Sequence, residues 1–203
     1  SAWQTIPHVT QFVEADVTEL ESVRKKQKDK HIKDGIKITM MPYLMKAAVN
    51  VLKTHPVFNS SIQNDGLNIV FKKYYNIGVA VDTKDGLVVP VIKNVDKKDI
   101  VQLSKELMDI SERARNKQLL IDELKGGTFT ISNLGGIGGS FFTPIINPPE
   151  VAILGVSRTK IENNGKLTLP LSLSYDHRVI DGAAGAAFVV LLSNVLSNAK
   201  KLK

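Results

Sequence analysis

Ser172-Leu173-Ser174-Tyr175-Asp176-His177-Arg178-Val179-Ile180-Asp181-Gly182-Ala183 is the stretch around which the chain is organised. An alternating apolar run, the pattern of a half-buried strand, stops at Tyr175, and Asp176, His177, Arg178 and Asp181 follow within six residues. Gly182, Ala183, Ala184, Gly185, Ala186 and Ala187 then open a helix whose inward residues are Phe188, Leu191, Leu192, Val195 and Leu196. A strand end is rigid and the turn after it is exposed, a combination that suits chemistry. Of four histidines, His177 alone is so surrounded. Its neighbours Asp176, Arg178 and Asp181 can fix the tautomer and orientation of the imidazole, as a general base requires. With reference values of ~6.5 for imidazole and ~8.5 for a thiol, proton transfer from a bound thiol to His177 is only modestly uphill.

Working outward, Asn163-Asn164-Gly165 turns into the strand 166–175, and 151–156 and 128–132 read as two further strands. Between them lies the glycine-rich loop Asn133-Leu134-Gly135-Gly136-Ile137-Gly138-Gly139-Ser140. It lacks the third glycine of a dinucleotide fingerprint, and no Gly-Lys-Ser/Thr follows for a phosphate loop. Phe142 stands where a nucleophile elbow around Ser140 needs glycine. The segment 96–117 keeps the helical rhythm through Ile100, Leu103, Leu107, Ile110 and Ala114, and 121–125 adds a short turn.

Nearer the amino end, 9–17 reads as a strand and Thr18-Glu19-Leu20-Glu21 as a capping box opening a polar helix. Thr39 is the expected N-cap of the next helix, with Pro42 in its first turn and one buried stripe from Met41 to Leu52. Asp65-Gly66 and Asp85-Gly86 are hairpin signals. They make 68–73, 76–82 and 87–92 strands of one antiparallel meander, with Pro90 at an edge or bulge. His8 is expected to be buried with a satisfied hydrogen bond. The fold class is α/β in the α+β sense: a mixed, mostly antiparallel sheet with flanking helices.

At 203 residues, 43% hydrophobic and 23% charged, the chain reads as one domain, residues 1–203. No apolar run reaches ~18 residues, so no membrane-spanning helix and no membrane partner are expected. There are no cysteines, which excludes disulfides, thiolate metal sites and a cysteine nucleophile. No two histidines stand three or four apart, so no metal site is expected. Net charge is +7, with lysines at positions 25, 26, 28, 30, 33 and 37 and again at 200, 201 and 203. These read first as a solvated helix face and a frayed tail, and alternatively as attraction for an anionic ligand such as a nucleotide. Sparse aromatics, not interleaved with the lysines, argue against nucleic acid as a partner.

Ser174-Tyr175-Asp176-His177-Arg178-Val179-Ile180-Asp181-Gly182 resembles the signature of the dihydrolipoamide acyltransferases, the E2 cores of 2-oxo acid dehydrogenase complexes. The histidine with an aspartate four residues on also resembles chloramphenicol acetyltransferase. Further similar blocks include Ile6-Pro7-His8-Val9-Thr10, Asp16-Val17-Thr18-Glu19-Leu20, Asn76-Ile77-Gly78-Val79-Ala80-Val81-Asp82-Thr83 and Gly126-Gly127-Thr128-Phe129-Thr130-Ile131-Ser132-Asn133. Pro148-Pro149-Glu150-Val151-Ala152-Ile153-Leu154-Gly155 is another, and together the blocks run through nearly the whole chain in one order.

The resemblance implies a chloramphenicol acetyltransferase-like fold and transfer of an acyl group between a dihydrolipoyl thiol and coenzyme A. The lipoyl group would come from a lipoyl domain outside this chain. His177 would be the base, Ser132 the oxyanion donor and Asp181 the residue shaping the site. Arg24, Thr39, Asp82, Ser132 and Asn133 match coenzyme A contacts. The family's site lies between subunits of a homotrimer, with the histidine from one chain and the serine from its neighbour. Trimers assemble into a 24-subunit cube, served by the complex's E1 and E3 enzymes. Acetyl transfer in a cytoplasmic pyruvate dehydrogenase complex is the leading expectation. Succinyl or branched-chain transfer, an antibiotic acetyltransferase and an inactive scaffold subunit are the alternatives. The family's lipoyl and peripheral-subunit-binding domains, and a helical segment before Trp3, are not found in these 203 residues. The end Asn198-Ala199-Lys200-Lys201-Leu202-Lys203 is more charged than the family's hydrophobic anchor between trimers, which bears on the cube rather than the trimer.

Overall fold

The computed structural model describes residues 2–63 and 66–202. A short helix α1 (Ala2–Thr5) leads into strand β1 (His8–Asp16) and then helix α2 (Thr18–His31). The expected capping box at Thr18 does not form. Thr18 Oγ1 donates to Asp16 Oδ1 at 2.6 Å and accepts from the Leu167 amide at 2.9 Å, while Glu21 is engaged by Arg24. A carboxylate two residues back is a better partner for the hydroxyl than a helix amide. His8 is satisfied as expected, between the Ile6 carbonyl and the Ile146 amide.

Helix α3 (Met41–Thr54) carries Pro42 in its first turn, but its N-cap is Met40 and not Thr39. It is buried nearly all round rather than along one stripe, because it packs against two other helices and several short turns within the main core. Strands β2 (Ser60–Ile62) and β3 (Ile69–Phe71) form a hairpin. Of the Asp65-Gly66 signal between them, Asp65 lies outside the described residues.

The expected single meander is instead divided among three sheets. β3 pairs only with β2, whereas β4 (Ile77–Val79) joins the main sheet. β5 (Val81–Thr83) and β6 (Gly86–Val88) make a separate hairpin, with Gly86 at φ +116° in its turn. The expected strand 87–92 breaks before Pro90, which has no N–H to give; its carbonyl accepts from Val79 at 2.9 Å. β7 (Val91–Ile92) then closes one edge of the main sheet. Helix α4 (Ile100–Arg115) starts later than expected, where Asp99 and Gln102 form a true capping box.

β8 (Phe129–Asn133), β9 (Ala152–Val156), β10 (Lys160–Ile161), β11 (Leu167–Asp176) and helix α5 (Gly182–Leu196) complete the fold. The main sheet runs β1-β11-β9-β8-β4-β7, with β10 beside β11. Only the β9-β8 and β8-β4 pairs are parallel. One face, carrying Leu171, Leu173, Tyr175, Leu154, Ile131 and Ile77, forms the core with the helices. The other carries Ser172, Ser174, Ile153, Gly155, Thr130 and Ser132, and a smaller apolar cluster of Ile6, Ile146 and Ile153 covers part of it. The tail is not frayed as far as it is described. Ala199 and Leu202 are buried in the main core, and Asn50 donates to the Lys201 carbonyl at 3.1 Å.

Candidate active site

His177 stands one residue beyond β11. Its amide donates to the Pro7 carbonyl at 3.0 Å, and the amides of Val179 and Ile180 both return to the Asp176 carbonyl, so the turn is tightly made. The ring is exposed, its centroid 6.1 Å from that of Tyr175, and it has no hydrogen bond among the described residues. The expected tautomer-fixing contacts from its neighbours are absent there. Asp176 is buried, held by the Arg178 guanidinium at 2.6–3.2 Å and the Arg178 amide at 3.0 Å. That pairing also raises Arg178 above its ordinary value. Asp181 is the N-cap of α5, accepting from the Ala184 amide at 2.8 Å.

The start of α5 is located by Tyr175 and Gln11. Gln11 Nε2 donates to Tyr175 Oη at 3.0 Å and to the Gly182 carbonyl at 2.9 Å. Gly185 lies so close to the Tyr175 ring that a Cβ there would sit 2.6 Å from it. The strand end, the turn and the helix start are thus one rigid unit under His177.

Ser132 is half-buried on β8, and its hydroxyl has no hydrogen-bond partner among the described residues. It opens into a cavity of about 320 Å³ lined by Leu87, Val89, Thr130, Phe142, Ile146 and Asn147, among others. Phe142 reaches this cavity because Gly155 leaves room: a Cβ there would lie 2.7 Å from the ring. Register fixes how Ser132 stands to His177. Ser132 pairs with Gly155 and Gly155 with Ser172, a lateral step of ~9.6 Å. Asp176 lies a further ~13 Å along β11, and His177 beyond it. Within one chain Ser132 is therefore on the order of 16 Å from Asp176 and farther from His177, outside any common hydrogen-bonding reach.

Thr39 and Asp82 come together in a cavity of about 810 Å³, with Lys37, Ser104, Ser111 and Arg115. Because Thr39 does not cap α3, its hydroxyl is free to face this space. Arg24 does not line it. Its guanidinium is occupied by Glu21 at 2.6 and 2.7 Å and by the Ile38 carbonyl at 2.9 Å, so it braces the segment leading to Thr39. Hydrogen bonding to Arg24 holds Glu21 below the usual carboxylate range. Asn133 lies apart again, accepting from the Gly135 amide at 2.9 Å beside a shallow depression with Gly136 and Ser157. The glycine-rich loop is anchored by Arg158, which donates to the carbonyls of Gly135 and Ile137. Ser104 and Arg115 had no motif to announce them, whereas Lys37 belongs to the lysine run whose alternative reading is attraction for an anionic ligand. Glu150 also escaped notice, although an acidic residue directly before an apolar run was the signal.

The sequence model of the 2-oxoacid dehydrogenases acyltransferase (catalytic domain) matches residues 1–203. The chain belongs to this acyltransferase family. It is 54% identical over 98% of its length to the dihydrolipoyllysine-residue acetyltransferase component of the Haemophilus influenzae pyruvate dehydrogenase complex, of which it spans 37%. The corresponding Azotobacter vinelandii protein is 51% identical over 99% of the chain, which spans 33% of it. The acyltransferase domain also superimposes on a solved structure of Azotobacter vinelandii dihydrolipoamide acetyltransferase with a TM-score of 0.96 and 50% identity, covering 99% of this chain and 86% of that one. Chloramphenicol acetyltransferase, at 15% identity and a TM-score of 0.66 over 98% of this chain and 89% of its own, shares the fold. That likeness extends to fold class only.

Proposed function

We propose that this chain is the catalytic core of a dihydrolipoyllysine-residue acetyltransferase, moving an acetyl group between a dihydrolipoyl thiol and coenzyme A. The observation that carries the reading is the exposed, unpartnered imidazole of His177 on a rigid strand end. It occurs in a chain about half identical to bacterial pyruvate dehydrogenase acetyltransferases. One ring nitrogen of His177 takes the proton of the attacking thiol, and the thiolate adds to the thioester carbonyl. Ser132 Oγ donates to the oxyanion, a contribution of roughly 3–4 kcal/mol to the barrier for one preorganised donor. Collapse expels the second thiolate, which recovers the proton from the imidazolium, so no covalent enzyme intermediate and no cysteine are needed.

The separation of Ser132 from His177 within one chain supports a site completed between two copies, in a homotrimer. The cavity of Thr39 and Asp82 takes the coenzyme A end, with Lys37 and Arg115 supplying positive charge for its phosphates. Asp181 shapes the site through the start of α5. The Azotobacter vinelandii structure was solved in work on a serine, a histidine and an asparagine in that enzyme's mechanism, the last two separated as His177 and Asp181 are. A further structural relative, 50% identical, forms the cubic core of a pyruvate dehydrogenase complex, which supports assembly of such trimers into a cube. The chain spans only about a third to a half of its curated relatives, so lipoyl domains and contacts with E1 and E3 belong to a longer protein. No helix among the described residues is long and apolar enough to cross a membrane, in keeping with a cytoplasmic complex.

The test is transfer from acetyl-coenzyme A to free dihydrolipoamide. Wild type forms S-acetyldihydrolipoamide, and His177→Ala loses several orders of magnitude in kcat. Succinyl- and isobutyryl-coenzyme A in the same assay decide acyl preference. If wild type and variant are equally inert while the protein assembles, it is a scaffold.

A further inference from the structure

Glu150 has no part in the chemistry just described, yet it is buried beside the strand that carries Ser132. Its carboxyl accepts a hydrogen bond from Thr130 Oγ1 at 2.6 Å. Thr130 is two residues before Ser132 on β8, on the same face, and lines the same cavity. The segment 144–147 also lines that cavity and is joined to Glu150 through Pro148 and Pro149; the Glu150 amide donates to the Asn147 carbonyl at 3.0 Å. On its other side Glu150 borders a second cavity, also about 320 Å³, that holds Asp176 and Arg178. The next carbonyl, that of Val151, accepts from the Asp176 amide at 2.8 Å, one residue before His177.

The surroundings are shaped to admit this carboxyl. A Cβ on Gly127 would lie 2.5 Å from Glu150 Oε1, and one on Gly78 would lie 2.6 Å from Thr130 Oγ1. Both glycines have φ outside the left-handed region, so it is this close approach and not backbone conformation that requires them. No cation is free to balance a charge here among the described residues. β8 presents Thr130 and β7 presents Val91. The β11 turn presents only Asp176 and Arg178, already paired with each other. His8, on the β1 side of the covering segment, is bonded to the Ile6 carbonyl and the Ile146 amide.

We propose that Glu150, in its protonated form, is a positioning residue that ties the strand bearing Ser132 to the facing wall of its cavity, and that ionisation releases this tie. The inference rests on the assignment of Ser132 as oxyanion donor. Burial pushes the carboxyl up to about 8, with hydrogen bonds from Thr130 and Asn147 pulling it partly back. It is therefore neutral at pH 7 and ionises only in the alkaline range. An ionised carboxylate in this wall keeps the hydrogen bonds from Thr130 and Asn147 but has no cation to balance its charge, and burial drives it towards water in the adjoining cavity.

The experiment is the pH profile of acetyl transfer between acetyl-coenzyme A and dihydrolipoamide for wild type, Glu150→Gln, Glu150→Ala and Thr130→Val. Wild-type kcat falls on the alkaline side with a midpoint near 8. Glu150→Gln keeps the neutral hydrogen bond, retains kcat at pH 7 within about twofold and loses that alkaline fall. Glu150→Ala and Thr130→Val each lose about tenfold or more in kcat at pH 7, with KM for acetyl-coenzyme A little changed, because displacing a catalytic group by a fraction of an ångström has that scale of effect. Infrared difference spectra of wild type against Glu150→Gln show a protonated-carboxyl band at pH 6 that disappears across pH 8, whether or not Glu150→Ala folds. A Glu150→Gln profile superimposable on wild type, an unaffected Thr130→Val, or no such band overturns the proposal. An inert wild type overturns the assignment of Ser132 and this role with it, so failure of that assignment is distinguishable from failure of Glu150 alone.

Discussion

Ser132 and His177 face each other only if they belong to different chains. Ser132 lies level with Ser172, two strands across the sheet, while His177 comes after Asp176 at the far end of that same strand. No side-chain rotation closes a backbone separation that is already on the order of 16 Å at Asp176. The fold instead carries the serine at one position of the sheet and the histidine at another, the arrangement that the proposed site shared between neighbouring subunits needs.

Mixing inactive variants tests this. Co-expressed Ser132→Ala and His177→Ala chains in equal amounts recover about a quarter of wild-type kcat per site, since one interface in four of a random trimer joins an intact histidine to an intact serine. Each variant alone stays inactive. Recovery of nothing, in trimers shown by mass spectrometry to be mixed, would place the whole site in one chain.

Asp181 has a structural duty separable from any role in the chemistry. Asp181→Ala leaves the Ala184 amide without its cap and lowers stability by about 1 kcal/mol, whereas Asp181→Asn keeps the hydrogen bond and costs only a few tenths. Urea denaturation reads the difference. Equal losses in the two variants would mean that charge at Asp181, and not the cap, is what the helix start needs.

Much of this arrangement is legible in one dimension because the strand before His177 alternates and the helix after it repeats every three or four residues. The meander was misread for a physical reason: hairpin signals say where a chain reverses, not which sheet each arm joins. Thr18 carried a good capping pattern, but Asp16 and the end of a strand far along the chain compete for the same hydroxyl. Adjacency likewise made Asp176 look like the support of His177, and only the folded turn reveals that its carboxylate is taken by Arg178. In the tail, three lysines mask Ala199 and Leu202, whose three-residue spacing suits the short turn that buries them. Ser132 is proposed through family resemblance alone, since nothing in Thr130-Ile131-Ser132-Asn133 distinguishes a catalytic hydroxyl from a strand terminus.

Gly155 offers a test of the cavity without touching a polar group. Gly155→Ala puts a methyl against the Phe142 ring, which is at the cavity's edge and can shift by tilting into the space beside Ser132. The expected stability loss is about 1 kcal/mol, at the low end for overpacking. Its effect on kcat/KM for dihydrolipoamide is expected to be larger, about tenfold, because the ring enters the volume a substrate uses. Thermal melts and kinetics on the same preparation decide it; a stability loss with unchanged kinetics would show that this cavity is not part of the substrate path.

Glu150 makes stability itself depend on pH, in a direction opposite to that of an ion-paired carboxylate. Its ordinary value is 4.5 and burial raises it to about 8 in the folded chain. Below 4.5 the group is protonated in both states and the folded form bears no charging penalty. Between 4.5 and 8 the unfolded chain releases the proton while the folded chain holds it, so stability declines as pH rises, by roughly 1.4 kcal/mol per unit at the steepest. Above 8 the contribution is fully lost. Glu150→Gln has no such dependence. Subtracting its unfolding free energy from that of wild type cancels every other titrating group, and the difference should be small at pH 5 and favour the variant by several kcal/mol at pH 8.5. A difference that does not change with pH would mean that Glu150 is already ionised when the chain folds.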